Sequence, residues 1–150
     1  ARRAGRFGLD LFAEGGDPSL VDVYKAAAEE AGHTPGFAYV PDSNAGTSVF
    51  VAEDVDAAWR DLGPYLLHDA TMYSEWMQDN SAPASRSDAL TVEDLRAENG
   101  AYRVLTVDEA VAQIKGGRPL SMQPLCGGAP PEIAWKSVRL AGTVVQERLA

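Results

Sequence analysis

The chain has 150 residues, 45% of them hydrophobic, and a formal net charge of -9. That is enough apolar material for one packed domain. The acidity and the scattering of the 13 Lys and Arg residues argue against a nucleic-acid surface.

The lone Cys126 excludes an internal disulfide, no Cys/His spacing suits structural zinc, and His33 and His68 are not spaced as paired ligands. No stretch approaches the roughly 18 to 20 apolar residues of a membrane span. The basic start Ala1-Arg2-Arg3-Ala4-Gly5-Arg6 lacks the apolar core of a signal peptide. A soluble, cytoplasmic protein is expected, binding neither nucleic acid nor membrane. The chain begins at Ala1 rather than Met, and Arg2 to Phe7 reads as the last turn of a helix stopped at Gly8. An element upstream of Ala1 is therefore expected.

Leu9 to Ala13 is a short apolar strand candidate ending in the turn Glu14-Gly15-Gly16. Asp17 is placed to cap a helix with Pro18 at its first position. Its buried stripe is Leu20, Val21, Tyr24, Ala27, Ala28 and Ala31, and Gly32 stops it. Phe37 to Val40 and Thr47 to Ala52 are strand candidates, with Ser43-Asn44-Ala45-Gly46 between them as a hairpin turn or a bulge in one long strand. A helix capped near Asp54 follows, carrying Val55, Ala58, Trp59 and Leu62. Gly63-Pro64 is expected to kink or interrupt it, because proline removes a backbone donor. The helix resumes over Tyr65 to Met77, with Leu67, Ala70 or Thr71, and Ser74 on one face.

Asp79 to Asp88 is rich in Ser, Asn, Ala and Pro and lacks periodicity; it reads as a mobile loop, an insertion over about 79–90. Thr91 to Asn99 reads as a polar turn of helix and Tyr102 to Leu105 as a brief extended segment. Thr106-Val107-Asp108-Glu109 matches a capping box, opening a helix lined by Val107, Val111 and Ile114. The strand candidate Leu120 to Leu125 then runs through Cys126-Gly127-Gly128 into a helix over Ile133 to Ala150, striped by Ala134, Val138, Ala141, Val145 and Leu149. Alternation of strand and helix predicts an α/β fold with a parallel sheet and covering helices. A closed (β/α)8 barrel needs about 250 residues, so the chain amounts to at most half of one.

Several segments carry a resemblance. Leu120-Ser121-Met122-Gln123-Pro124-Leu125-Cys126-Gly127-Gly128-Ala129-Pro130-Pro131-Glu132-Ile133-Ala134-Trp135, Ser48-Val49-Phe50-Val51-Ala52-Glu53-Asp54 with Ala57-Ala58-Trp59, and Leu66-Leu67-His68-Asp69-Ala70-Thr71-Met72-Tyr73 resemble, in order, the carboxyl-terminal half of luciferase-like flavin-dependent monooxygenases. The resemblance implies a partial (β/α)8 TIM barrel with Leu9 to Phe12 on strand six, Phe37 to Ala52 on strand seven and Leu120 to Leu125 on strand eight. It also implies FMN or the deazaflavin coenzyme at the carboxyl ends of the strands, a small-molecule organic substrate, and a homodimer. The amino-terminal strands and the glycine-rich turn that helps hold the flavin phosphate in the family lie outside the chain. The chain alone, lacking its amino-terminal half, is therefore expected to be inactive.

The cofactor-binding candidates are Leu125, Cys126, Gly127 and Gly128 after the last strand, and Glu14 and Gly15 after the first, because strand carboxyl ends are where α/β folds place ligands. His68 is the one candidate general acid or base. Each has a plainer reading. The glycines can simply turn the chain, Cys126 can be a small buried hydrophobe, Glu14 an exposed loop carboxylate, and His68 a half-buried structural residue. Trp59, Trp76 and Trp135 read as core, and the acidic helix residues as a solvated face. Two other functions remain open: a non-catalytic α/β dimerisation or binding module, and a different small enzyme using Cys126 as nucleophile.

Overall fold

The computed structural model describes residues 1–13, 15, 17–41, 45–76 and 86–150. They divide into a first compact unit over Ala1–Ala45 and a second over Gly46–Asp79 and Ser85–Ala150.

In the first unit, helix α1 (Arg2–Arg6) lies against α2 (Leu20–Glu30), and strand β1 (Leu11–Phe12) pairs in parallel with β2 (Ala38–Tyr39). The close helix contact requires a residue without a side chain. A Cβ on Gly5 would strike the Tyr24 carbonyl oxygen. Tyr24 in turn is buried, and its hydroxyl accepts the Gly36 N–H at 2.9 Å. The stripe Tyr24, Ala27, Ala28 faces inward as expected. Asp17 does not cap α2 directly. Its carboxylate accepts the Ser19 N–H at 2.8 Å, one turn early, so the helix starts at Leu20 rather than Pro18. That hydrogen bond also holds the exposed Asp17 carboxyl below its ordinary pKa.

The second unit is built on β3 (Ser48–Val51), paired in parallel with β4 (Tyr102–Leu105) in the register Ser48↔Tyr102 to Val51↔Leu105. All four β3 residues are buried, as in a strand covered on both faces. On one face Phe50, Tyr102 and Val104 pack with helix α3 (Val55–Trp76), helix α4 (Val92–Glu98) and the Cys126 turn. On the other, Val49, Val51 and Leu105 meet helix α5 (Val107–Lys115) and Val145. The single long strand seven expected over Phe37 to Ala52 is instead two short strands, β2 and β3, in separate two-stranded sheets. The intervening Asp42–Asn44 lie outside the described residues, as do Glu14, Gly16 and most of the expected 79–90 insertion, of which residues 86–90 are described.

Local rules decide several boundaries. Thr91 caps α4 by accepting the Asp94 N–H at 3.1 Å, and Asn99 closes it in the left-handed conformation. Thr106 and Glu109 form the expected capping box on α5. Two expectations are corrected. Gly63-Pro64 does not break α3, which runs unbroken for 22 residues. One missing donor is outweighed by the apolar face Trp59, Leu62, Leu66 and Ala70, buried on both sides of the proline. That face, rather than one through Leu67 and Ser74, is the packed one.

Leu120 to Leu125 is not a strand. Pro119 and Pro124 supply no N–H, and the only described backbone bond from this segment to β3 is Val49 N–H to the Ser121 carbonyl at 2.9 Å. Further along β3 the Val51 N–H is taken by the Ser137 hydroxyl at 2.7 Å, from helix α6 (Pro131–Leu140). A helix side chain thus occupies the edge where the last strand was expected. The helix continues through a π turn at Ala141–Val145, with Ala134 and Val145 buried as predicted.

Candidate functional site

The two ends of β3 differ in chemistry. At its carboxyl end the chain passes through Ala52-Glu53-Asp54 into α3, and Asp54 caps that helix by accepting the Ala57 N–H at 2.8 Å. Between the first turns of α3 and the face of α6 lies a cleft of about 460 Å³. Its floor is apolar, with Val51, Ala58, Leu62, Ile133 and Leu140. Glu53, Asp54 and Asp61 rim one wall, and Lys136 and Arg139 rim the other. Ser137, 3% exposed, sits at the base with its oxygen engaged by Val51.

At the amino end of β3 a buried polar cluster forms instead. The Tyr102 hydroxyl, on a residue 1% exposed, donates to the Asp69 carboxylate at 2.9 Å. The Cys126 thiol lies 3.9 Å from the Ser48 hydroxyl. Burial pushes the Cys126 thiol up to about 12, the Asp69 carboxylate and a hydrogen bond to it add to the rise, and the Ser48 contact partly opposes it. Burial likewise raises Tyr102, reinforced by its hydrogen bond to Asp69. A thiol held in this way is protonated at neutral pH and a poor nucleophile. Cys126, 6% exposed, packs as the small buried side chain of its plainer reading.

The glycine turn also takes its plainer reading. Gly127 (φ 59°) and Gly128 (φ 81°) both adopt left-handed backbone. A Cβ on Gly127 would fall on the Tyr65 carbonyl oxygen, so this glycine lets the turn pack against the backbone of α3. The Gly128 N–H is spent on the Leu125 carbonyl at 3.0 Å. The Cys126 and Ala129 N–H groups are likewise taken, by the Gln123 and Cys126 carbonyls. Leu125, 60% exposed, lines an apolar groove of about 330 Å³ with Pro124, Pro131, Ala134, Trp135 and Val138.

Of the remaining expected residues, Glu14 lies outside the described residues and Gly15 is a half-buried bend residue in the first unit. His68 is exposed on α3. Among the tryptophans only Trp59 is core; Trp76 and Trp135 are 73% and 54% exposed. The structure brings Cys126 together with Asp69, Tyr102 and Ser48, none of which the sequence singled out. Their separations of 33 and 78 residues leave no periodic signal. Lys136 and Arg139 had a findable signal, two cations three apart on a helix opened by prolines. Among the described residues no group of three His, Cys, Asp or Glu side chains is placed to hold a metal ion, and no helix is long and apolar enough to cross a membrane. Compared with family models, curated proteins and solved structures, the chain has no match.

Proposed function

We propose that this chain is the carboxyl-terminal half of a luciferase-like, flavin- or deazaflavin-dependent oxidoreductase acting on a small organic substrate. One observation carries the reading: the segment that resembles the family's seventh strand and helix is a buried strand, Ser48–Val51, with a parallel neighbour and a three-residue passage into a helix. That is the βα step from which such barrels are built. In this reading the family's glycine-rich turn, which lies outside these residues, helps to hold the phosphate of FMN or the deazaflavin. The share of these residues is to wall the site and exclude water.

The test is a fluorescence titration with FMN and with the deazaflavin coenzyme, on the 150-residue chain and on the complete open reading frame that contains it. The complete chain should bind one of the two and turn over a reduced cofactor, while the 150 residues alone should do neither. A complete chain that binds neither cofactor overturns the reading. A second reading, a non-catalytic dimerisation module, is favoured by Leu125 and Trp135 standing exposed across one apolar groove. A colourless, tight dimer by light scattering, dissociated by Trp135→Glu, would select it.

A further inference from the structure

We infer that the cleft at the carboxyl end of β3 is a binding site for a small zwitterion, with an ammonium group and a carboxylate separated by an apolar body. The inference is independent of the flavin reading and rests on how charge is distributed in the cleft. Three ion pairs form elsewhere among the described residues: Arg96 reaches Asp56 at 2.6 Å across 40 residues, Arg148 pairs with Asp108, and Arg86 pairs with Asp88. Around the cleft they do not. Among the described residues, Glu53 and Asp61 on one wall and Lys136 and Arg139 on the other form no ion pair.

Asp54, the third carboxylate, is committed to capping α3. Arg139 is steadied by the face of Trp135, 6.0 Å from the ring centroid, rather than by an anion. Ser137 accepts from Val51 and keeps its own O–H proton to donate at the base of the cleft. Two walls of opposite sign over a floor of Val51, Leu62, Ile133 and Leu140 match a ligand that is cationic at one end, anionic at the other and apolar between. A simple anion would meet three carboxylates, and a simple cation two basic side chains. Only a ligand carrying both charges satisfies both walls.

Three six-carbon probes separate these cases: ε-aminocaproate, hexanoate and hexylamine, titrated at low ionic strength with amide chemical shifts as the readout. ε-Aminocaproate should bind about tenfold tighter than either singly charged analogue, the factor expected from one further pair of modest ion contacts. The shifts should centre on Val51, Ala57, Ala58 and Ser137. Lys136→Ala with Arg139→Ala should reduce its affinity to that of hexylamine. Glu53→Gln with Asp61→Asn should reduce it to that of hexanoate. All four side chains are exposed, so the variants should keep the wild-type amide spectrum away from the cleft. Equal affinity for the three probes, shifts centred elsewhere, or affinity unchanged in both double variants overturns the inference.

Discussion

The amino and carboxyl ends of β3 are separated by four residues and solve opposite problems. At the amino end Ser48, Asp69, Tyr102 and Cys126 bring together the side chains most often associated with catalysis, yet Ser48, Tyr102 and Cys126 are buried, Asp69 is half-buried, and they bond to one another. At the carboxyl end the side chains are ordinary surface charges, yet they surround open volume and, among the described residues, form no ion pair. The lesson is that reactive residue types do not make a site. Accessible space and unsatisfied chemistry do, and burial that raises the pKa of a thiol removes its reactivity.

The sharpest way to break this contrast is to probe Cys126. With its pKa pushed up from 9.0 to about 12, the folded protein should react with a thiol reagent near pH 8 about three orders of magnitude more slowly than an ordinary cysteine, from thiolate fraction alone. Rapid labelling under native conditions would show the amino end to be open. The same shift has a signed consequence for stability. Folded Cys126 keeps its proton where the unfolded chain loses it, so its contribution is complete below pH 9 and drains away as pH rises from there towards 12. Tyr102, also raised, acts in the same direction above its ordinary value of 10.0. Urea midpoints should therefore fall on the alkaline side, and Cys126→Ala should flatten the early part of that fall.

A smaller effect tests whether the glycine turn serves packing. Gly127→Ala should cost about 3 kcal/mol in urea unfolding, from left-handed backbone plus collision with Tyr65. Gly128→Ala, with no atom within 4 Å of the added methyl, should cost only the backbone share of about 1 kcal/mol. Equal costs would mean that Gly127 does not touch α3 in solution. The smallest expected change is Tyr102→Phe, which takes one donor from the Asp69 carboxylate and leaves it the hydrogen bond from Cys126. It should destabilise by about 0.5 kcal/mol while leaving ligand shifts in the carboxyl-end cleft unchanged.

Local chemistry was readable from the sequence where a few adjacent residues decide the outcome. The Thr106–Glu109 capping box, the helical turn within Thr91 to Asn99 and the brief strand at Tyr102 to Leu105 stand as expected, and of the α2 stripe Tyr24, Ala27 and Ala28 are buried while Ala31 is exposed. Misreadings arose where distant partners decide. Nothing near Pro64 reveals that Leu66 and Ala70 will be buried deeply enough to carry a helix through it. Nothing in Leu120 to Leu125 reveals that a hydroxyl 86 residues from Val51 will occupy its N–H. The same limit hid the polar cluster, whose members meet only after folding.

The Val51–Ser137 bond has a consequence for self-association. An outer strand with free amides is a template on which other chains can add, and β3 is apolar, β-branched and short of charge. By donating to a serine on a helix, which cannot extend the ladder, β3 ends its sheet with a stopper. Removing that single oxygen in Ser137→Ala leaves the buried Val51 N–H unpaired at a cost in stability, and whenever α6 lifts away the strand edge is open to pairing with another chain.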